Sequence, residues 1–184
     1  MPRLNPIEAR QISPEVRATL DILQPGSAEV PNFLRVVAKS LAAMRAFAGM
    51  EHALARGHLS PREREQVALA VAEINGSNYC LIAHSRTAKD AALSDEDIRL
   101  ARKAAAADAR ENAMLRFAQA VVLQRGEISD AELTLVRQAG FSESEIIEII
   151  ANIALNIFTN YLNIISKTET DFLLPQTRVL AATC

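Results

Sequence analysis

The chain is punctuated by helix-start signals, and these constrain its fold more than any other feature. Ser60-Pro61-Arg62-Glu63 is a capping box with proline at the first helical position. Ser13-Pro14-Glu15 combines cap, proline and first-turn acid, Ser94-Asp95-Glu96-Asp97 opens another helix, and Ser129 with Glu132 and Ser142 with Glu145 cap two more. Matching stops stand at Pro25-Gly26, Gly57, Gly76, Gly126 and Gly140. No stretch alternates as a half-buried strand would, and no hairpin turn signal is present. The expected fold is all-α, a compact bundle of roughly eight or nine helices by this count of caps and breakers.

The helices are expected from Pro14 to about Gln24, Pro31 to Ser40, Leu41 to Arg56, Pro61 to Gly76, and then one holding Cys80 and His84. Further helices run from Ser94 to about Ala106, Asp108 to Arg125, Ser129 to Gly140, and Ser142 to about Lys167. Residues 1–12 read as an extended arm and 171–184 as a tail, on a single domain spanning 1–184. With 49% hydrophobic residues but only 4% aromatic and no Trp, the core must be built from Ala, Leu, Ile and Val. A net charge of −2 advertises neither nucleic acid nor an anionic membrane as partner. The most apolar stretch, Ile146 to Phe158, is interrupted by Glu148, Asn152 and Asn156 and reads as too short and too polar to span a membrane. Two distant cysteines make no disulfide framework, so a reducing, cytoplasmic setting is expected. No secretory signal is visible in the first residues.

The chemistry concentrates in Glu73-Ile74-Asn75-Gly76-Ser77-Asn78-Tyr79-Cys80-Leu81-Ile82-Ala83-His84. Gly76 ends one helix and Ser77 is a good N-cap for the next. Cys80 then falls in the first turn, where unpaired N–H groups and the helix dipole favour a thiolate. His84, four residues on, lies on the same face one turn above the sulfur. Two acids compete to orient the imidazole. In a tight helical hairpin Glu73 lies near the level of Cys80, and Glu65 within about a turn of His84. Spacing alone does not separate them.

Ser77 is most simply a cap, with a hydroxyl able to donate to the sulfur or a substrate oxygen. Tyr79 reads as packing, and His52 and His58 as surface residues. One Cys and one His close no zinc site, so no metal and no cofactor is expected. The last helix carries a polar ladder of Glu148, Asn152, Asn156, Asn160 and Asn163 among Ile, Leu, Ala and Phe, read here as structural.

These residues resemble the carboxymuconolactone decarboxylase and alkylhydroperoxidase D-like family, particularly its peroxidase-related branch. The resemblance rests on Leu59 to Glu65, Ala68 to Gly76, Ser77 to Cys80 and Ala83-His84, with a second block at Asn156 to Tyr161, Asn163, and Thr168 to Phe172. It implies an alkylhydroperoxidase D-like helical fold and an antioxidant oxidoreductase that reduces organic hydroperoxides at the expense of an external thiol or dithiol. Cys80 corresponds to the family's peroxide-attacking cysteine, His84 to the histidine of its proton relay and Glu65 to the relay glutamate. Ser77 stands where the family's alkylhydroperoxidases carry a second cysteine, the one that forms the disulfide. Turnover here would therefore draw on an outside thiol, or on Cys184. The family also implies a homo-oligomer, a trimer or hexamer. Two rival expectations stand beside this one. One is a lyase-like decarboxylase of a small lactone acid, using His84 and Glu65 as acid and base with Arg86 as cationic partner. The other is a non-catalytic binding or assembly module.

Overall fold

A computed structural model describes residues 1–23 and 30–171. Among them the chain is all helical: α1 (Pro14–Leu23), α2 (Asn32–Val37), α3 (Leu41–Leu54), α4 (Pro61–Asn75), α5 (Asn78–Asp90), α6 (Asp95–Ala101), α7 (Ala109–Leu123), α8 (Asp130–Gln138) and α9 (Glu143–Ser166), preceded by a 3₁₀ turn at Ala9–Gln11. Ser60, Ser94, Ser129 and Ser142 each close a reciprocal capping box with the acid three residues on. The expected tail, Cys184 included, lies almost wholly outside the described residues.

Two elements are shorter than expected. α2 stops at Val37 because Ser40 turns extended, with φ −118° and ψ 105°, and caps α3 by accepting from the Ala43 N–H. α6 stops at Ala101 rather than near Ala106. Ala104 takes a left-handed φ of 51° there, and the Ala105 N–H reaches back to the Leu100 carbonyl. That is the six-to-one bond of a Schellman motif, made here without glycine.

Helix α4 is the centre. From Gln66 to Ala72 every residue is buried, the mark of a helix surrounded on all sides. Its small side chains Ala68, Ala70 and Ala72 let α5, α7 and α9 pack directly against it. The principal core gathers Val67, Leu69 and Val71 of α4 with Met114, Leu115 and Phe117 of α7 and Ile149 and Ile153 of α9. A second, smaller core joins α1, α2 and α3 through Val16, Leu20, Leu34, Val37 and Met44. α9 is longer than its most apolar stretch and, at 24 residues, is long and apolar enough to cross a membrane by length and composition alone. Its asparagines 152, 156, 160 and 163 are all buried. The seam between the two cores is left unfilled, and the site described next lies in it.

Candidate active site

The turn between α4 and α5 aims the cysteine. Gly76 takes the left-handed conformation, φ 68° and ψ 30°, and sends its N–H back to α4. Ser77 is the N-cap residue, so Cys80 is the third residue of α5, inside its first turn as expected. The hydroxyl of Ser77 behaves differently from the expectation. It makes no side-chain cap bond, and although Ser77 is only 1% exposed its Oγ has no partner, neither backbone nor sulfur. The reason is backbone angle: ψ is 88° at Ser77, against 157° at Ser60 and 163° at Ser142, so the side chain is not carried over the first-turn N–H groups.

Cys80 is 3% exposed and belongs to the principal core, yet its remaining surface is part of the wall of a cavity of about 520 Å³. Leu34 and Phe47 line that cavity from the smaller core and Tyr79 from the larger, Phe33 packs against both, and Ala68 and Leu155 complete the apolar wall. Phe33 and Phe47 meet edge to face, ring centres 5.2 Å apart. The sulfur accepts a hydrogen bond from Asn163 Nδ2 of α9 at 3.3 Å. Asn152, Asn156 and Asn163 line the same cavity, so the ladder expected to be structural faces the site. Asn160 accepts from Asn75 Nδ2 at 3.0 Å instead and ties α9 to the end of α4.

His84 and Glu65 meet directly. The imidazole Nδ1–H donates to Glu65 Oε2 at 2.9 Å, and the same oxygen accepts from Thr87 Oγ1 at 2.8 Å. Glu73 is elsewhere, paired at 2.6 Å with Arg102, the C-cap residue of α6, so the choice that spacing left open is resolved by the rotation of α4. Both partners are mostly sheltered, with 26% of the His84 side chain and 21% of the Glu65 side chain exposed. Burial pushes the imidazole pKa down, but the hydrogen bond and charge of Glu65, with the charge of Glu51, outweigh it and leave the pKa raised. The Glu51 carboxyl is itself pushed up by burial, against the pull of His84 and Arg64. With Nδ1–H committed to a carboxylate, Nε2 is the nitrogen left to accept a proton.

The other expectations fall as follows. Tyr79 does more than pack: its hydroxyl donates to Asp171 Oδ1 at 3.0 Å and accepts from the Phe33 N–H at 3.3 Å, holding the segment after α9 against the cavity wall. Arg86 is exposed and does not line the cavity, whereas Arg64 does. Arg64 Nη1 is occupied by the Leu59 carbonyl at 2.7 Å. His52 and His58 are exposed and lie outside the cavity lining. Among the described residues no group of three His, Cys, Asp or Glu could hold a metal. Sequence reasoning missed Thr87 and Glu51, whose only signals were their places one turn from His84 and in the helix facing it, and it misjudged Asn163.

Residues 40–122 match the family model described as the carboxymuconolactone decarboxylase family, and the match contains Glu65, Ser77, Cys80 and His84. This stretch belongs to the carboxymuconolactone decarboxylase family. The solved structures extend the likeness beyond it. A peroxidase-related protein from Silicibacter sp. TM1040 is 26% identical, with a TM-score of 0.78 over 91% of this chain and 92% of that one. An alkylhydroperoxidase AhpD core, a peroxidase-related protein from Ralstonia eutropha JMP134, superposes with a TM-score of 0.82 at 23% identity over 92% of both chains. The debrominase Bmp8 shares the fold at 20% identity, TM-score 0.78, over 92% of both chains. No curated protein sequence matches the chain. The fold of these structures accounts for nearly the whole chain, and it is shared by proteins named for different chemistries.

Proposed function

We propose that this protein is a thiol-dependent peroxidase that reduces organic hydroperoxides through Cys80. The observation that carries the reading is the 2.9 Å His84–Glu65 bond on the wall of the same cavity as the sulfur. In the reaction, the His84 Nε2 takes the thiol proton and the thiolate attacks the distal oxygen of the hydroperoxide. The S–O bond forms as the O–O bond breaks. Sulfur is oxidised by two electrons to a sulfenic acid, and the departing alkoxide takes its proton from the imidazolium. Glu65 holds the ring in the tautomer that leaves Nε2 free and stabilises the imidazolium between the two steps.

The character of the cavity supports a neutral, apolar substrate. Phe33, Leu34, Phe47 and Leu155 offer it a surface, and among the described residues the acids Glu51, Glu65 and Asp90 outnumber the one guanidinium on the same wall, Arg64, whose Nη1 is already taken by the Leu59 carbonyl. This weighs against the decarboxylase of a lactone acid, whose expected cation Arg86 is not at the site. With serine at position 77 the sulfenic acid is returned to thiol by an external thiol or dithiol, in a cytoplasmic homo-oligomer. Cys184 is the alternative reductant.

Stoichiometric cumene hydroperoxide tests the reading. Cys80 should give a sulfenic acid, trapped with dimedone and located by mass spectrometry, that persists until thiol is added. Absence of the adduct on Cys80 removes the peroxidase. A Cys184→Ser variant with unchanged turnover assigns reduction to the external thiol.

A further inference from the structure

Asn163 is used by nothing described so far except as a donor to sulfur. It sits near the end of α9, where its own carbonyl accepts from the Thr168 N–H at 3.2 Å, and its side chain is on the cavity wall. The residue is 4% exposed. Its amide is used at one end only: Nδ2 donates to Cys80 Sγ at 3.3 Å, while Oδ1 is buried and has no hydrogen-bond partner. Buried acceptors are nearly always paired, because an unpaired one gives up its hydration for nothing. One turn earlier, Asn160 is bonded to Asn75, the last residue of the helix that leads into the Cys80 turn.

An amide held this way has a donor and an acceptor about 2.3 Å apart on one carbon, set by standard bond lengths. The donor is on the attacking atom. A hydroperoxide, ROOH, carries its one O–H on the distal oxygen, the atom the thiolate attacks. We propose that Asn163 is a catalytic residue of the peroxide reaction. Its Nδ2 holds the Cys80 thiolate while its Oδ1 accepts the O–H of the distal oxygen, so that one side chain brings the two reacting atoms together. The proposal rests on the peroxidase reading above. The proton on the distal oxygen stays there throughout. As the S–O bond forms and the O–O bond breaks, that O–H becomes the sulfenic acid O–H, still bonded to Oδ1, and the alkoxide is protonated from His84. A dialkyl peroxide has no O–H for Oδ1 and is excluded as a substrate on the same ground.

Asn163→Asp keeps the shape and the acceptor but removes the donor and sets a negative charge beside the sulfur. Asn163→Ala removes both contacts. In the full-length chain, the iodoacetamide reaction rate against pH reads the ionisation of Cys80, and dimedone trapping after cumene hydroperoxide reads the chemical step. For Asn163→Asp the alkylation midpoint should move up by about one pH unit or more, and sulfenic acid formation should slow by about 10- to 100-fold, the range expected for losing a hydrogen bond to a charged group. For Asn163→Ala the peroxide step should slow by more than the alkylation midpoint explains, because the contact to the distal oxygen is lost as well. A measurement on the unaltered chain covers the case in which a variant does not fold: the Asn163 side-chain amide proton resonance should shift with pH at the alkylation midpoint, and stay flat in Cys80→Ser. A flat resonance in the wild-type chain, or variants with wild-type midpoint and rate within about two-fold, would overturn the assignment while leaving the peroxidase in place. If the wild-type chain forms no sulfenic acid, both fall.

Discussion

Helix α4 starts at Ser60 and helix α5 at Ser77, and the two serines do opposite things. At Ser60 every polar atom is used. The hydroxyl caps the Glu63 N–H at 3.2 Å and donates to Glu63 Oε2 at 2.8 Å, and the other oxygen of Glu63 is taken by Arg110. Arg110 in turn bonds Glu145 at 2.5 Å and lies over the Phe141 ring at 3.7 Å. At Ser77 the hydroxyl is buried with no partner. The first junction holds α4, α7 and α9 together. The second leaves local binding capacity unused around the sulfur. That contrast is expected where one end of a helix pair is kept for stability and the other for chemistry, since sites commonly break a local rule that the scaffold obeys.

The sharpest way to break the contrast is to remove the sulfur. Cys80→Ser should lose all hydroperoxide consumption, read by peroxide loss in the presence of thiol, because an alcohol is not oxidised in this way. Retained consumption would move the chemistry away from Cys80. Next in size is a pair of isosteric changes two residues apart on α4. Glu65→Gln should lower peroxidase kcat/KM by about 100-fold or more, in the range of a lost general acid–base contribution. Glu63→Gln should leave the rate alone and lower stability. The same pair separates by pH. The His84 pKa is raised in the folded state, so the protonated ring is the form that folding favours. Its contribution is therefore full below the ordinary imidazole value of about 6.5 and is lost as pH rises through the higher folded value. Thermal midpoints of the wild type should fall across that window, and those of Glu65→Gln should fall less.

How far these roles could be read without coordinates follows the range of the forces involved. The Ser60, Ser94, Ser129 and Ser142 starts were legible because a capping box is a contact between residues three apart. The end of α6 was not, because Ala104 adopts the left-handed conformation that a glycine would have announced. The first-turn position of Cys80 followed from Gly76 and Ser77, but the silence of the Ser77 hydroxyl depends on a ψ angle that composition does not encode. Glu65 and Glu73 were equivalent on α4 until Arg102 drew Glu73 to α6. Asn163 was hidden most deeply, since its contact with Cys80 spans 83 residues and two helices that meet only in the folded chain. A polar residue on an apolar helix was the signal, and what it lacked was a direction.

A smaller effect sharpens the α4 side. Ser60→Ala removes the cap and releases Glu63 from the hydroxyl, so it should cost about 1 kcal/mol, within the usual range for an N-cap loss. For a chain of this length that lowers the thermal midpoint by about 2–4 °C. The rate of sulfenic acid formation should be unchanged, because no atom of Ser60 lines the cavity.

The smallest effect is the most diagnostic. Ser77→Ala is the same substitution at the same helix position, and capping propensity alone predicts the same loss. The structure predicts otherwise: the hydroxyl makes no cap bond, so there is none to lose, and deleting a buried unpaired oxygen removes a desolvation cost. Stability should change by less than about 0.5 kcal/mol, with the sign favouring the alanine. Paired denaturant titrations of Ser60→Ala and Ser77→Ala measure the difference directly, since the two share side-chain chemistry and helix position. Equal losses would mean that Ser77 caps α5 in solution. In that case the sulfur sits above an ordinary helix start, and nothing at the second junction has been set aside for chemistry.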